Sequence, residues 1–343
     1  MIVVRAPLRI SFVGGGTDLP DFYHRSPGRV ISTAIDKYVY VVLNRTPLID
    51  KVSARYSITE TVSHPNDLQH TRIKAALNDL GITKNIEIAS FATLPSKTGL
   101  GSSSSFSVGL VKALHAYEGK KIGAGEAAES ASRLEIELCG EPIGKQDQYA
   151  SAFGGLNIIQ FNPDDSVDVR PVLLDYKKRK EFEDQMIVFF TGITRNASSV
   201  LTEQKKNIMD EKKFETMKAM AALVPAFEAK LLAGDFKGLG QMLHDGWLKK
   251  RSLTTTASNS VIDDLYNAGV QSGAWGGKIL GAGGGGCVMF LAPREVHAAI
   301  RKAVATIATK HELTDFKEIP MHFIQSGAEV IFNGDHYHAT HFA

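Results

Sequence analysis

The sequence predicts an α+β fold in two lobes, on three observations. Strand-like apolar runs dominate the first hundred residues, and a helical period takes over at Ser103. A polar, turn-rich stretch at 162–180 then precedes a second set of strands and helices. A chain of 343 residues has room for about two ordinary domains, and the boundary is expected near residue 180, giving lobes of 1–180 and 181–343.

Taken in order, residues 2–13 read as one or two short strands broken at Pro7. Residues 39–43 form a continuous apolar run, and 86–91 alternate apolar with polar before a turn at Pro95. From Ser103, the side chains of Phe106, Leu110, Val111, Leu114 and Tyr117 share one helical face. A second helix is expected over 126–138, a short one around 144–153, and a strand at Leu156–Phe161. The basic run Lys177, Lys178, Arg179, Lys180 reads as a solvated connector. A strand at Met186–Phe190 precedes a helical stretch over roughly 200–250, with breaks near Pro225 and Gly234 and a core-facing stripe of Met209, Phe214 and Met217. A glycine loop, a strand at Cys287–Leu291, a helix near 295–310 and a last strand near 320–325 complete the chain.

Composition removes several classes of function. Hydrophobic residues make up 43% and charged residues 22%, the balance of a globular chain rather than a disordered one. The formal charge is only +2, with no basic stripe interleaved with aromatics, so nucleic acid is not expected as a partner. No apolar run reaches the roughly 18 residues of a membrane helix. Arg5 and Arg9 interrupt the position where an export signal needs its apolar core. With two distant cysteines, Cys139 and Cys287, the expected setting is a reducing cytoplasm. Oligomeric state is not legible.

The 31 glycines cluster, at 14–16, 99–101 and 281–286. The central cluster lies in Pro95, Ser96, Lys97, Thr98, Gly99, Leu100, Gly101, Ser102, Ser103, Ser104 and Ser105, between an expected strand and an expected helix. A helix N-terminus presents unpaired N–H groups and partial positive charge, so it attracts anions. Glycines let the backbone wrap a polyphosphate, and four serines supply hydroxyls for phosphate or metal. One serine would be only a cap; four after two glycines read as a phosphate cradle. Two familiar nucleotide signatures fail. Ser104 stands where the dinucleotide fingerprint needs a third glycine, and Gly277-Lys278 is followed by Ile279 rather than Ser or Thr.

The stretch 95–105 resembles the second motif of the galactokinase, homoserine kinase, mevalonate kinase and phosphomevalonate kinase superfamily. Residues 278–286 resemble its third motif, and 5–20 its first. The resemblance implies a first lobe like domain 2 of ribosomal protein S5, a ferredoxin-like second lobe, and transfer of the γ-phosphoryl of ATP to a hydroxyl with Mg²⁺. It implies that Asp147, in Gly144-Lys145-Gln146-Asp147-Gln148, is the base, and that Arg9 pairs with it and offsets transition-state charge. Lys145 either acts on Asp147 electrostatically or touches substrate. Ser103 and Glu135 would hold magnesium, with Glu137 a close competitor.

Asp18 matches a sugar-binding position, although an Asx turn explains it locally as well. Gly15, Gly16, Thr17, Gly283, Gly284 and Arg195 complete the expected substrate contacts. Gly14-Gly15-Gly16-Thr17-Asp18 replaces the Gly-Glu-His-Thr-Asp of galactokinases, and with 28–37 it is similar to kinases of D-glycero-D-manno-heptose 7-phosphate. Those enzymes phosphorylate the anomeric hydroxyl on the way to GDP-heptose. The kinase lobe of L-fucokinase is similar too. A small-molecule sugar or sugar phosphate is therefore the expected partner, and a silent sugar- and ATP-binding regulator is the alternative class. For a substrate phosphate, Arg29, Arg55, Arg72, Lys145 and Arg195 are available and unranked. The histidine-containing tail at 336–341 reads as a terminus rather than a metal site.

Overall fold

The computed structural model describes residues 1–194, 208–253 and 256–334. Its first sheet is built on two long antiparallel strands, β1 (Ile2–Val13) and β2 (Gly28–Arg45). Pro7 does not break β1 as expected. The register shifts between Pro7 and Leu8 instead, and the Pro7 carbonyl accepts from the Ser105 and Ser151 hydroxyls at 2.7 and 2.9 Å. A bulge with a satisfied carbonyl lets the strand continue.

Strand β2 is far longer than the run 39–43, because its two halves have different neighbours. Its later half pairs with β5 (Ile86–Ala92) and its earlier half with β6 (Leu156–Phe161). Short strands β3 (Val52–Arg55) and β4 (Thr59–Val62) extend the sheet beyond β5, and β7 (Val167–Pro171) extends it beyond β6. Helix α1 (Pro20–Tyr23) follows β1, and α2 (Thr71–Asp79) precedes β5. Helix α3 (Ser102–Tyr117) packs on β1 and β2 through the apolar face read from the sequence, with Phe106, Leu110, Val111 and Leu114 buried. Helix α4 (Ala124–Arg133) runs into a π-helical turn, Leu134–Leu138, and α5 (Gln146–Phe153) lies against both α3 and α4.

The basic run near residue 180 is helical: α6 (Tyr176–Asp184) carries it across the expected boundary. Asp175 caps that helix, accepting from the Lys178 N–H at 2.8 Å. A second sheet follows, of β8 (Met186–Phe190), β9 (Gly276–Ile279), β10 (Cys287–Leu291) and β11 (Lys317–Glu318). Its order is β11-β8-β10-β9, all antiparallel, which is the ferredoxin-like arrangement. Helix α7 (Glu211–Ala233) runs through Pro225 without ending and stops at Gly234, in a left-handed C-cap. Phe214 and Met217 are buried, but Met209 is exposed and does not join their stripe. Helices α8 (Phe236–Leu253), α9 (Ser260–Gln271) and α10 (His297–Lys310) complete the lobe.

The last strand, β12, is Glu329–Asn333 rather than 320–325, where Phe323 makes one bridge to Ile35. It pairs with β1, so the chain returns to the sheet where it began. The two sheets share a core: Phe12 of β1 meets Phe227 of α7 with ring centroids 5.4 Å apart, and Phe182 of α6 at 5.3 Å. No described helix is long and apolar enough to cross a membrane.

Candidate active site

A cleft of about 1180 Å³ opens between the sheets, and all three glycine clusters reach it. The central cluster forms one wall. Gly101, at φ +78°, caps α3 without a side-chain bond, so the first-turn N–H groups of that helix open into the cleft. Lys97, Gly99, Gly101, Ser102, Ser103 and Ser104 line it. The other expected cradle residues do not. Pro95 lies outside, Leu100 packs in the core, and Ser105 turns inward to the Pro7 carbonyl. A helical turn points successive side chains in different directions, so four serines in a row cannot all face one ligand.

The third cluster supports the cradle from behind. A Cβ on Gly99 (φ +80°) would lie 2.5 Å from the Leu280 carbonyl oxygen, and one on Gly281 (φ +70°) would lie 2.7 Å from the Gly99 Cα. The two loops are in backbone contact, which only glycine permits. Gly283 lines the cleft; Gly284 does not, and its N–H donates to the Ala257 carbonyl at 2.7 Å.

Arg9 and Asp147, separated by 138 positions, meet in a bidentate pair: Nε to Oδ1 at 2.7 Å and Nη2 to Oδ2 at 2.6 Å. Arg9 Nη1 also donates to the Gly99 carbonyl at 2.7 Å, tying the pair to the cradle. Arg9 is 3% exposed, and a planar fork is the geometry such a pair demands.

Asp18 lies beside them, 3% exposed. It accepts from the Gly16 N–H, the Gln146 N–H and the Gln146 amide at 3.0, 3.2 and 3.0 Å, on the cleft wall. The local Asx turn does not form, because the residue two on is Pro20, which has no N–H to donate. Burial, and then the nearby Asp147 charge, push its pKa up. Gly144 has to be glycine here, since a Cβ would overlap the Asp18 carboxylate. Gly15 and Gly16 line the cleft. Thr17 does not. Its hydroxyl donates to the Gly14 and Arg29 carbonyls at 2.8 and 3.1 Å, and the side chain is fully enclosed. Arg195 and residues 335–343 lie outside the described residues.

The two residues of the expected magnesium pair differ in exposure. Ser103 faces the cleft, but Glu135 is wholly enclosed. Its carboxylate accepts from Ser104 at 2.8 Å, Ser107 at 2.6 Å and the Gln148 amide, with Arg72 Nε 3.4 Å away. Burial pushes its pKa up against the pull of Arg72. With both oxygens used by protein donors, these residues do not fit a preformed magnesium site. Glu137 is exposed and its nearest cation is Arg133 at 3.8 Å. Among the described residues no cluster of three His, Cys, Asp or Glu is placed to hold a metal. Glu135→Ala should therefore lower stability by roughly 3 kcal/mol without any ligand. That is the low end for breaking a buried pair, because Arg72 keeps Glu141 at 2.7 Å. Urea denaturation in metal-free buffer measures it, and unchanged stability contradicts the structural role.

Of the basic residues available for a substrate phosphate, Arg29 holds Gln160 at 2.7 Å and Arg55 pairs with Glu87. Arg72 lines the cleft but is paired, and Lys145 sits against Glu129 at 3.4 Å. Sequence reasoning missed the part of the wall made by helices of the second lobe: Met220, Leu223, Leu243, Trp247 and Lys250, from α7 and α8. Lys278, at the start of the third motif, lines the cleft from β9. The Trp247 indole N–H is buried with no hydrogen-bond partner among the described residues. Lys278 reaches across to the first lobe, donating to the Ser11 and Phe12 carbonyls at 2.9 and 2.7 Å, and burial holds its pKa well below the usual lysine range. The signal for Trp247 and Lys250 was their spacing of three on a helix, which places both on one face.

The arrangement offers an anion-binding helix terminus, a carboxylate beside it, and an enclosed chamber against the second lobe. The family model for the GHMP kinases N-terminal domain matches residues 70–155, and that for the GHMP kinases C-terminal domain matches 223–307. The D-glycero-alpha-D-manno-heptose 7-phosphate kinase of Campylobacter jejuni is 30% identical over 84% of this chain and 88% of its own. The bifunctional fucokinase/GDP-fucose pyrophosphorylase of Arabidopsis thaliana is 26% identical over 84% of this chain but 30% of its own length. A solved structure described as a D-glycero-D-manno-heptose 1-phosphate kinase from Bacteriodes thetaiotaomicron superposes with a TM-score of 0.78 at 22% identity, covering 97% of this chain and 99% of that one. The chain belongs to the GHMP kinase family.

Proposed function

We propose that this kinase transfers the γ-phosphoryl of MgATP to the anomeric hydroxyl of D-glycero-α-D-manno-heptose 7-phosphate, a step toward GDP-heptose for surface polysaccharide. The observation that carries the reading is the Arg9–Asp147 pair, tied by hydrogen bond to the cradle carbonyl of Gly99. The first-turn N–H groups of α3 and the side chains of Lys97, Ser102 and Ser103 bind the phosphates. Magnesium enters as the metal of the substrate MgATP. Asp147 accepts the hydroxyl proton as the sugar oxygen attacks phosphorus, and Arg9 offsets charge on the transferred group. Asp18 grips sugar hydroxyls.

The choice of sugar rests on the 30% relative and on Gly15, which lines the cleft and where an added Cβ would meet nothing closer than 3.9 Å. L-fucose is the second reading, favoured by the 26% relative. A silent regulator has no need of a carboxylate held on an arginine at the end of the cradle.

An ADP-release screen with heptose 7-phosphate, fucose, mannose, galactose and mevalonate tests the assignment. The heptose phosphate should give the highest kcat/KM. Preference for fucose selects the second reading, and turnover of mevalonate alone overturns the sugar assignment.

A further inference from the structure

We propose that Lys250 is a second catalytic cation, supplied by the other lobe, which binds the transferring phosphoryl group opposite Arg9. The inference rests on the reading of the cleft as a phosphoryl-transfer site.

The geometry begins at two glycines. Arg9 donates to the carbonyl of Gly99, and Lys250 Nζ donates to the carbonyl of Gly281. Those two glycines are in backbone contact. Two cations from different lobes therefore hang from the carbonyls of two glycines in backbone contact, and line the same cleft.

Their electrostatic surroundings are mixed. Arg9 from β1 and Lys278 from β9 repel the ammonium, while Asp18 from the loop after β1 and Asp147 from α5 attract it. Yet Lys250 is half-buried and makes no ion pair among the described residues; its one hydrogen bond is to Gly281. An ammonium has three N–H donors, so two remain without an acceptor among the described residues. Lys278, by contrast, uses two carbonyls of β1 and acts as a strap between lobes. An under-bonded cation beside an arginine and a carboxylate has a clear ligand: an anion that arrives with substrate and gains charge during reaction.

In the step itself the acceptor oxygen forms a bond to the γ-phosphorus, and the bond from that phosphorus to the bridging oxygen breaks. Its electron pair leaves with ADP, and the hydroxyl proton passes to Asp147. Lys250 and Arg9 keep their protons and donate hydrogen bonds to the non-bridging oxygens. Burial, and then Arg9, hold the free ammonium's pKa down to about 8. It must be protonated to act, so its contribution is present below that value and lost as pH rises through it.

The test uses Lys250→Met and Lys250→Arg in the full-length protein, with two readouts. One is transfer to whichever sugar the wild type phosphorylates. The other is the slow hydrolysis of MgATP by water, which needs no sugar. Lys250→Met should lower both rates about 100-fold or more, with KM for ATP changed far less. The wild-type kcat/KM for ATP should fall above about pH 8. Lys250→Arg, whose charge persists to much higher pH, should recover part of the rate and lose that alkaline limb. A Lys250→Met rate within threefold of wild type overturns the proposal. So does a lost rate with the alkaline limb intact in Lys250→Arg, which marks a structural role. Failure of the sugar assignment shows in the wild type alone, and failure of this inference shows in the ratio of variant to wild type.

Discussion

Asp147→Asn is expected to lower kcat roughly 10²- to 10⁴-fold, the range a positioned general base contributes, while KM for ATP stays near the wild-type value. The substitution keeps the side chain's volume and removes its ability to take the hydroxyl proton. It also turns an amide N–H₂ toward Arg9, where two acceptor oxygens now receive Nε and Nη2 at 2.7 and 2.6 Å. Arg9 is enclosed and would keep the Gly99 carbonyl and one amide oxygen, losing one acceptor and the opposing charge of its bidentate pair. A fall in melting temperature should therefore accompany the kinetic loss. Steady-state kinetics at saturating ATP and sugar, with a thermal melt, separate the two effects. Turnover within threefold of wild type removes Asp147 from the chemistry.

Gly99→Ala is expected to raise KM for ATP at least about tenfold and to lower stability by roughly 1–3 kcal/mol, the cost of holding an L-residue in a sparsely populated conformation. Two causes add here. The φ of +80° is strained for any side chain, and the new methyl would press on the Leu280 carbonyl at 2.5 Å. Relief of that contact moves the cradle away from the third glycine loop and takes the Arg9–Gly99 hydrogen bond with it. Gly81→Ala is the control. Its φ of +67° is also left-handed, but nothing lies within 4 Å of the added carbon. It should cost stability alone and leave ATP binding unchanged; equal effects at the two positions contradict the packing argument.

The fold was legible where pattern and neighbours agreed. The stripe from Phe106 to Leu114 predicted α3 because that helix rests one face on a sheet. Strand β2 was read as a fragment since its length depends on β5 and β6, which come later in the chain. Pro225 was read as a break, yet α7 continues through it, with Val224 and Phe227 packed in the core on either side. The basic run became a helix once Asp175 capped it.

The site shows the same division. Motif residues carried Arg9, Asp18 and Asp147 to one place, because glycine clusters mark backbone contacts that a sequence displays directly. Glu135 could not be assigned from spacing. Whether a helical carboxylate faces a cleft or the serines behind it depends on the π-helical turn at Leu134–Leu138, which shifts its direction. Trp247 and Lys250 carried no motif of their own, and only the packing of one lobe against the other makes them part of the chamber.

In the proposed reaction a cradle-bound phosphoryl group passes to a sugar's anomeric oxygen beside Asp147. Phosphorus NMR of the product formed from MgATP and heptose 7-phosphate tests it most directly. A second phosphate resonance coupled to the anomeric proton is expected, appearing with ADP in equal amount and at least about 100-fold more slowly with Asp147→Asn. A new phosphate on any other carbon, or inorganic phosphate as the sole product, contradicts it.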